Sequence, residues 1–208
     1  MNLTNYYWYF QSVVPERICD DIVRYGRQLQ DQMGVTGGYG GEKLNQKQIK
    51  DLKTKRDSNI VWMNDRWIYK EIQPYIHNAN ANAGWNFQWD YSESCQFTKY
   101  SKGQYYDWHC DGWDKPYQRQ QGDPSHGKIR KLSVTVTLSD PKDYKGGELE
   151  FDFRNLDPDK KPNIHKCKEI LPKGSLVVFP GFVWHRVCPV KKGERNSLVI
   201  WNLGWPYK

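Results

Sequence analysis

The first 83 residues contain two stretches in which apolar residues recur three or four positions apart. Residues 15–33 repeat Ile18, Ile22, Val23 and Leu29, and residues 61–83 repeat Trp62, Ile68, Ile72 and Ile76. This period predicts two amphipathic helices. Proline suits a first helical turn, so the first helix is expected to begin at Pro15, whereas Pro74 is expected to break or bend the second.

The region between these helices, residues 34–59, has no clear apolar period. Glycines recur between Gly34 and Gly41, and a charged run follows as far as Asp57. Glycine-rich and charged stretches without periodicity are typical of loops, and loops of this length often have a functional role. We therefore predict a long loop here and consider it a candidate lid.

After Gly84 the chain changes to short segments rich in aromatic and β-branched residues, separated by Gly, Pro, Asp and Asn. This pattern of short segments is typical of an all-β sandwich or barrel. Strands are predicted at residues 85–100, 105–109, 131–138, 148–153, 168–171, 175–179, 185–187 and 197–203. We expect one domain over residues 1–208, with residues 1–83 as helical support and lid loop and residues 84–208 as a β-rich core.

Composition adds limits to this picture. The chain has 10 Trp and 14 Tyr, so a core can form although only 38% of the residues are hydrophobic. Its five cysteines have scattered spacings that suggest no disulfide framework. No stretch has the length and apolar character of a membrane span or a secretory leader. We expect a soluble protein of the reducing cytoplasm.

The net charge of +7 raises the question of a nucleic-acid partner, since clustered basic residues attract polyanions. The basic residues are instead interleaved with Asp and Asn, as around Lys50, Lys53 and Lys55. No glycine-rich nucleotide-binding motif and no internal repeat occurs. Nucleic acid is therefore not the expected partner.

Three residues of the sequence are candidate metal ligands. His109 and Asp111 are two positions apart, so an extended strand places both side chains on one face. His185 follows in a predicted strand that can return to the same region. Two histidines and one carboxylate form a facial triad, which leaves three adjacent coordination positions open on an octahedral iron. Residues 112–127, directly after Asp111, have the composition of a second lid.

A possible anion site accompanies the triad. Arg195 and Ser197 lie two positions apart on one predicted strand face, ten and twelve residues beyond His185. A guanidinium offers a permanently charged, bidentate fork, and a neighbouring hydroxyl adds a directional hydrogen bond. The pair suits the distal carboxylate of a dicarboxylic keto acid such as 2-oxoglutarate.

Several of these residues also have ordinary structural interpretations. Each triad member alone could be a satisfied polar group at a strand end, and Arg195 could form an ion pair, for example with Asp140. Trp108, Trp113 and Trp184 crowd the motif segments. Aromatic residues at strand positions belong more often to a core than to a substrate platform, so core positions are expected for these three.

The sequence resembles the prolyl-hydroxylase-like (PKHD-type) group of the Fe(II)/2-oxoglutarate oxygenases over most of residues 85–206. The pattern Y-x-x-G-x-x-Y-x-x-H-x-D is matched in register by Tyr100, Gly103, Tyr106, His109 and Asp111. The segments at 130–140 and 146–149 also resemble the group, and the third histidine and the R-x-S pair complete the set.

The resemblance implies a double-stranded β-helix (jelly-roll, cupin-like) fold with flanking N-terminal helices. It implies Fe(II) bound by His109, Asp111 and His185, 2-oxoglutarate and O2 as cosubstrates, and possible use of ascorbate as a reductant. Among the cosubstrate-binding positions, Arg195 and Ser197 would hold the distal carboxylate. Tyr100 would bond 2-oxoglutarate, Leu149 would line its pocket, and Trp201 would pack beside it.

The implied activity is hydroxylation of a C–H bond, coupled to conversion of 2-oxoglutarate to succinate and CO2, with a prolyl residue of a peptide or protein as the expected target. Arg195 stands where collagen-type enzymes of this group have Lys, which leaves the closest subgroup open. Two alternatives also stay open. One is the same chemistry on a free amino acid, small metabolite or nucleic-acid base, and the other is a non-catalytic cupin-like metal-binding module.

Overall fold

The computed structural model describes residues 4–35, 44–154, 157 and 159–207. Within them lie three α-helices, α1 (Glu16–Gln28), α2 (Gln46–Lys53) and α3 (Arg66–Asn82), and one 3-10 helix at Lys168–Ile170. Most of the glycine-rich stretch predicted as a lid, residues 36–43, lies outside the described residues. None of the described helices combines the length and apolar character needed to cross a bilayer.

The strands of the described residues form antiparallel sheets. In chain order, β1 to β15 are Trp8–Phe10, Gln32–Met33, Arg56–Asp57, Asn59–Met63, Tyr91–Ser92, Cys95–Tyr100, Tyr105–His109, Ile129–Thr137, Tyr144–Gly146, Leu149–Asp152, Ile164–Lys166, Leu176–Pro180, Trp184–Val187, Val190–Gly193 and Arg195–Gly204. The major sheet has the order β1-β12-β8-β15-β6-β4-β2, with β5 also paired to β15. The minor sheet has the order β11-β10-β13-β7-β3, and β14 pairs with β9. The predicted mainly β architecture is confirmed.

The two faces of the major sheet pack against different partners, because side chains alternate along each strand. On β12, Leu176 and Val178 join the core that α1 and α3 cover, while Val177 and Phe179 join a second cluster facing the minor sheet. The Phe179 ring meets Phe151 of β10 with centroids 5.1 Å apart. The space between the two sheets therefore has apolar side chains at its base, and Arg195 and Ser197 of β15 project into it.

Several predicted boundaries were wrong. The first helix begins at Glu16 and ends at Gln28, because Leu29 is extended with a ψ of 151°. The second begins only at Arg66, since residues 61–63 belong to β4, and α3 continues through Pro74. Residues 168–170 form a 3-10 helix instead of a strand.

The region predicted as a long loop contains a helix and a strand. Asn45 caps α2 in a capping box with Gln48, and Leu52 is the buried anchor of this short helix. β3 follows at once and joins the minor sheet beside β7. Residues before position 84 thus contribute four strands to the sheets in addition to helices. These strands were not predicted, because segments of two to five residues are too short to show a periodic pattern.

Candidate metal and cosubstrate site

Two neighbouring strands of the minor sheet bring the predicted histidines together. β7 and β13 pair antiparallel, and His109 and His185 are direct partners in that register. Their ring centroids lie 4.1 Å apart. Directly paired residues project on the same side of a sheet, so two histidines 76 positions apart in sequence are in contact in the fold.

Asp111 completes the group just beyond the end of β7. One carboxylate oxygen lies 3.7 Å from Nε2 of His109 and the other 3.5 Å from Nε2 of His185. One ligand atom from each of the three residues lies within 4.8 Å of the others. The Ser133 hydroxyl donates to Asp111 Oδ2 at 2.7 Å and fixes the carboxylate from the major sheet.

Both imidazoles are oriented by backbone carbonyls. Nδ1 of His109 lies 2.7 Å from the carbonyl oxygen of Asp107, and Nδ1 of His185 lies 3.0 Å from that of Val183. A carbonyl accepts a hydrogen bond only from a protonated nitrogen, so each ring carries its proton on Nδ1. The Nε2 lone pairs are left facing the carboxylate, which is the orientation that metal ligation requires.

Burial determines the charge states in this group. Desolvation and then the neighbouring His185 lower the pKa of His109 to about 3, so this ring is neutral at physiological pH. Burial disfavours the Asp111 carboxylate, but the imidazoles, Arg130 and Ser133 outweigh it and lower its pKa to about 2. A neutral imidazole and an ionised carboxylate are the forms that bind a divalent cation. Two nitrogens and a carboxylate fit Fe(II) with open coordination positions.

Two glycines allow the chain to place Asp111. The backbone N–H groups of Asp111 and Gly112 both donate to the carbonyl of Gly181, at 2.9 and 2.8 Å. A Cβ at Gly112 would lie 2.5 Å from the carbonyl oxygen of Arg130, and one at Gly181 would lie 2.8 Å from the same atom. Neither glycine was predicted to have this role, although the position of Gly112 directly after Asp111 was a usable signal.

Arg56 and Tyr106 form a stack behind His109. The guanidinium carbon of Arg56 lies 4.5 Å from the centre of the Tyr106 ring, which is in turn stacked on His109. Arg56 is 4% exposed and donates to Ser58 and to the side chain of Gln96. The role of Arg56 could not be predicted from sequence, because this residue lies in a charged run and its two-residue strand has no apolar period.

Arg195 and Ser197 lie where their strand alternation predicted, on the face of β15 turned towards the minor sheet. Both are buried, and Nη1 of Arg195 lies 3.3 Å from the Ser197 hydroxyl. Tyr100 is the register partner of Arg195, whose guanidinium carbon is 5.6 Å from the Tyr100 ring centre. Burial raises the pKa of Tyr100, so its hydroxyl remains protonated and able to donate.

The alternative of an ion pair for Arg195 has no support among the described residues. Glu194 pairs with Arg27, and Asp140 pairs with Lys142. The buried guanidinium of Arg195 has only a hydroxyl as its described side-chain hydrogen-bond partner. A buried cation without a carboxylate is costly unless an anion binds, so the arrangement fits an anionic ligand.

Trp201 and Leu149 border the same space. Trp201 pairs in register with Ser133, so it projects beside the residue that holds Asp111. Its Nε1 is buried and has no hydrogen-bond partner within the described part of the chain, leaving a donor for a bound group. Leu149 is 3% exposed and belongs to the same apolar cluster as Tyr100.

None of the three tryptophans expected in the core is fully buried. Trp113 is 61% exposed and meets Trp184 edge to face, with ring centroids 6.4 Å apart. Trp108 and Trp184 are partly buried, and Arg186 lies over the Trp108 ring. The expectation was wrong for Trp113, because it follows the end of β7 and no longer alternates into a packed face.

Comparisons with known proteins give a consistent result. Residues 95–202 match the family model of the 2OG-Fe(II) oxygenase superfamily. The chain is 28% identical over 190 residues to the PKHD-type hydroxylase YbiX of Escherichia coli O157:H7, covering 87% of this chain and 71% of that protein. It is 36% identical over 109 residues to the PKHD-type hydroxylase XCV3086 of Xanthomonas euvesicatoria, covering 51% of this chain and 42% of that relative.

Solved structures are similar over nearly the whole chain. A viral collagen prolyl hydroxylase from Paramecium Bursaria Chlorella virus-1, in complex with 2OG, superposes with a TM-score of 0.64 at 22% identity, covering 97% of both chains. A prolyl hydroxylase from Trichoplax adhaerens, in complex with a hypoxia inducible factor peptide fragment, gives 0.60 at 16% identity, covering 96% of this chain and 84% of that one. At these identities the likeness concerns the fold, and the predicted double-stranded β-helix is confirmed.

Proposed function

Because the chain belongs to the 2OG-Fe(II) oxygenase superfamily, we propose that it hydroxylates a prolyl residue of a peptide or protein with consumption of O2 and 2-oxoglutarate. Fe(II) and 2-oxoglutarate are implied by the family, and the chain is a prolyl-hydroxylase-like oxygenase. Its target and its site residues are the parts of this proposal that need experiment.

We propose His109, Asp111 and His185 as the iron ligands. The observation that carries this assignment is the register pairing of the two histidines with the Asp111 carboxylate against both Nε2 atoms. The backbone carbonyls at Asp107 and Val183 hold the rings, and Ser133 holds the carboxylate. These contacts orient the ligands before metal binds, which favours affinity and fixes the open coordination face.

Fe(II) and 2-oxoglutarate, when bound, would activate O2 for C–H hydroxylation, with one oxygen atom entering the new hydroxyl group, the other entering succinate, and CO2 released from 2-oxoglutarate. The protein's own task is to bind and orient. In this proposal Arg195 and Ser197 hold the distal carboxylate of 2-oxoglutarate, and Tyr100 donates a hydrogen bond to it. Leu149 lines the pocket, and the unpartnered Nε1 of Trp201 donates to a bound group.

The peptide substrate is supported by the names of the relatives and by the aromatic rim of the site. Trp62 is 43% exposed, and its ring centroid lies 6.1 Å from that of Trp201. An exposed indole beside a buried one, here tilted by 45°, provides an apolar surface for a proline ring. We also propose that the protein works in the reducing cytoplasm, which agrees with its five free cysteines. Ascorbate is an optional reductant in this proposal.

The test is 2-oxoglutarate-dependent succinate formation by anaerobically purified protein loaded with Fe(II), with and without a panel of proline-containing peptides. Wild type is expected to form succinate, and at least one peptide is expected to gain a hydroxyl group by mass spectrometry. His109→Ala should abolish both products. Arg195→Ala should raise the KM for 2-oxoglutarate, and Arg195→Lys should rescue part of it because a cation returns.

The outcomes separate the competing functions. Hydroxylation of free amino acids or nucleotides but of no peptide would overturn the proposed substrate while preserving the chemistry. Iron binding without succinate formation under any condition would favour a non-catalytic metal-binding module. Succinate formation that survives His109→Ala would contradict the ligand assignment.

A further inference from the structure

A second polar site lies on the opposite side of β8 from the triad. It is a cavity of about 560 Å³ next to the end of β15, here called the Lys131 cavity. Its lining consists of Asn86, Phe87, Gln88, Trp89, Asp90, Lys131, Gly204, Trp205, Pro206 and Tyr207. The volume falls within the range of pockets that bind small organic molecules.

An irregularity in the strand pairing turns Lys131 into this cavity. The register between β8 and β15 shifts at Asn202 and Leu203, so Leu203 faces Arg130. Arg130 stays on the triad side, with its guanidinium carbon 3.9 Å from the centre of the Trp201 ring. Lys131 projects to the other side, where its Nζ lies 3.4 Å from the centre of the Tyr207 ring.

The ammonium of Lys131 is buried without a counter-charge among the described residues. Lys131 is 4% exposed. Asp90 is the carboxylate that lines the same cavity, but it pairs with Lys128 at 2.7 Å. Burial lowers the pKa of Lys131. A buried, unpaired ammonium is unfavourable, and a contact with an aromatic ring compensates only part of that cost.

The walls of the cavity are aromatic. Phe87 and Tyr207 meet edge to face, with centroids 5.1 Å apart, and Trp89 and Trp205 border the same space. Trp205 is 61% exposed and Tyr207 is 39% exposed, although most large apolar side chains of the described residues are covered. Exposed aromatic residues around a buried cation are suited to a ligand that is flat and apolar with one negative charge.

From this geometry we propose that the Lys131 cavity binds a small organic carboxylate carried on an aromatic body. The ammonium of Lys131 donates to the carboxylate, and the rings of Phe87, Trp205 and Tyr207 enclose the body. The site is distinct from the triad and from Arg195. It does not depend on oxygenase activity, so it can be tested on metal-free protein.

The experiment uses 2-naphthoate as the probe and 2-naphthamide as its neutral isostere, with binding followed by tryptophan fluorescence of the whole chain. Arg195→Met is the background, because the Arg195 guanidinium could otherwise bind the same carboxylate. In that background 2-naphthoate is expected to bind at least about tenfold more tightly than 2-naphthamide. Adding Lys131→Met should remove this preference, and adding Lys142→Met, at a lysine whose side chain is 88% exposed and does not line the cavity, should retain it.

Folding of the lysine variant is checked separately. Lys131→Met keeps the length and apolar stem of the side chain and removes the unpaired charge, so its melting temperature should equal or exceed that of the background protein. The proposal is overturned if acid and amide bind equally, if Lys131→Met leaves naphthoate affinity unchanged, or if naphthoate causes no saturable change up to about 10 mM. Each of these results leaves the proposed oxygenase function unaffected.

Discussion

The imidazole of His109 lies face to face with the phenol ring of Tyr106, with centroids 3.5 Å apart and an interplanar angle of 12°. On the other face of Tyr106 lies the guanidinium of Arg56. The proposed metal ligand is therefore fixed by a backbone hydrogen bond in its plane and by an aromatic ring against its face. Supporting contacts of this kind commonly change metal affinity by about 10–100-fold when they are removed.

Tyr106→Leu is predicted to weaken binding of Co(II), a spectroscopic substitute for Fe(II), by about tenfold, because the His109 ring loses its stacking surface. Tyr106→Phe is the matched control, since it keeps the ring and removes only the hydroxyl. The measurement is an anaerobic Co(II) titration followed by visible absorbance. Equal affinities for the Leu and Phe variants would show that the stack does not support the ligand.

Ser133→Ala is predicted to lower Co(II) affinity by about tenfold, because Asp111 loses the hydroxyl that donates to Oδ2. Thr135→Val serves as the control. Thr135 is two positions along β8 on the same face, and no described contact joins it to the triad. The prediction fails if both variants bind Co(II) as wild type does, with unchanged melting temperatures.

Gly147→Ala is predicted to raise the KM for 2-oxoglutarate about tenfold while metal affinity stays the same. Gly147 has a φ of +66°, and a Cβ there would lie 2.9 Å from Cδ of Arg195. The new methyl group would therefore displace the proposed carboxylate anchor. KM is measured from succinate formation in the absence of a primary substrate.

Gly84→Ala is the control for backbone strain in that experiment. Gly84 has a φ of +73°, but a Cβ there would meet no atom within 4 Å. Both variants should lose about 1–2 kcal/mol of stability from the left-handed conformation. Only Gly147→Ala should alter the KM, and a similar KM change in both would assign the effect to destabilisation alone.

Because of Asp152, the free energy of unfolding is predicted to change with pH in the acidic range. Burial disfavours its charge, but hydrogen bonds from Arg154 and from the backbone N–H of Asn163 outweigh this and lower its pKa. A carboxyl group whose pKa is lower in the folded state stabilises the fold above its unfolded pKa of about 3.9. That contribution is lost as the pH falls through the folded pKa.

Asp152→Asn should therefore lower the free energy of unfolding at pH 7 by about 1–3 kcal/mol, and the difference from wild type should shrink below about pH 4. Urea denaturation at a series of pH values provides the measurement. Asp31→Asn is the control, because the Asp31 side chain is 43% exposed and pairs with Lys99 at the surface. If the difference in unfolding free energy between Asp152→Asn and wild type did not change with pH, the substitution would have removed packing contacts and not the effect of a charge.

Two pairs of proposed site residues could be identified from sequence because their spacing determines their placement, whereas Tyr100, Leu149 and Trp201 followed only from the family resemblance. His109 and Asp111 are separated by two positions, as are Arg195 and Ser197, and a strand puts such pairs on one face wherever its ends lie. The β7 boundaries, Tyr105–His109, were predicted correctly because this short segment is rich in aromatic residues and follows a glycine-containing turn. Long amphipathic helices were also recognisable by their period, although their ends were not.

The supporting residues could not be identified in the same way. Arg56 lies in a two-residue strand, and Ser133 is one of several small polar residues on β8. Their roles depend on contacts between chain segments that are far apart in sequence. The cavity at Lys131 depends on a shift in strand register, which leaves no compositional signal.

The position of β15 also has a consequence for how the protein is made. β15 is the last described strand in the chain, yet it lies between β8 and β6 in the middle of the major sheet. A nascent chain cannot close that sheet until this segment has left the ribosome, and the long-range pairing is slow compared with helix formation. The unfinished chain thus exposes two unpaired strand edges during synthesis. Capture of iron and 2-oxoglutarate in the proposed arrangement would come only after β15 has paired with β8 and β6.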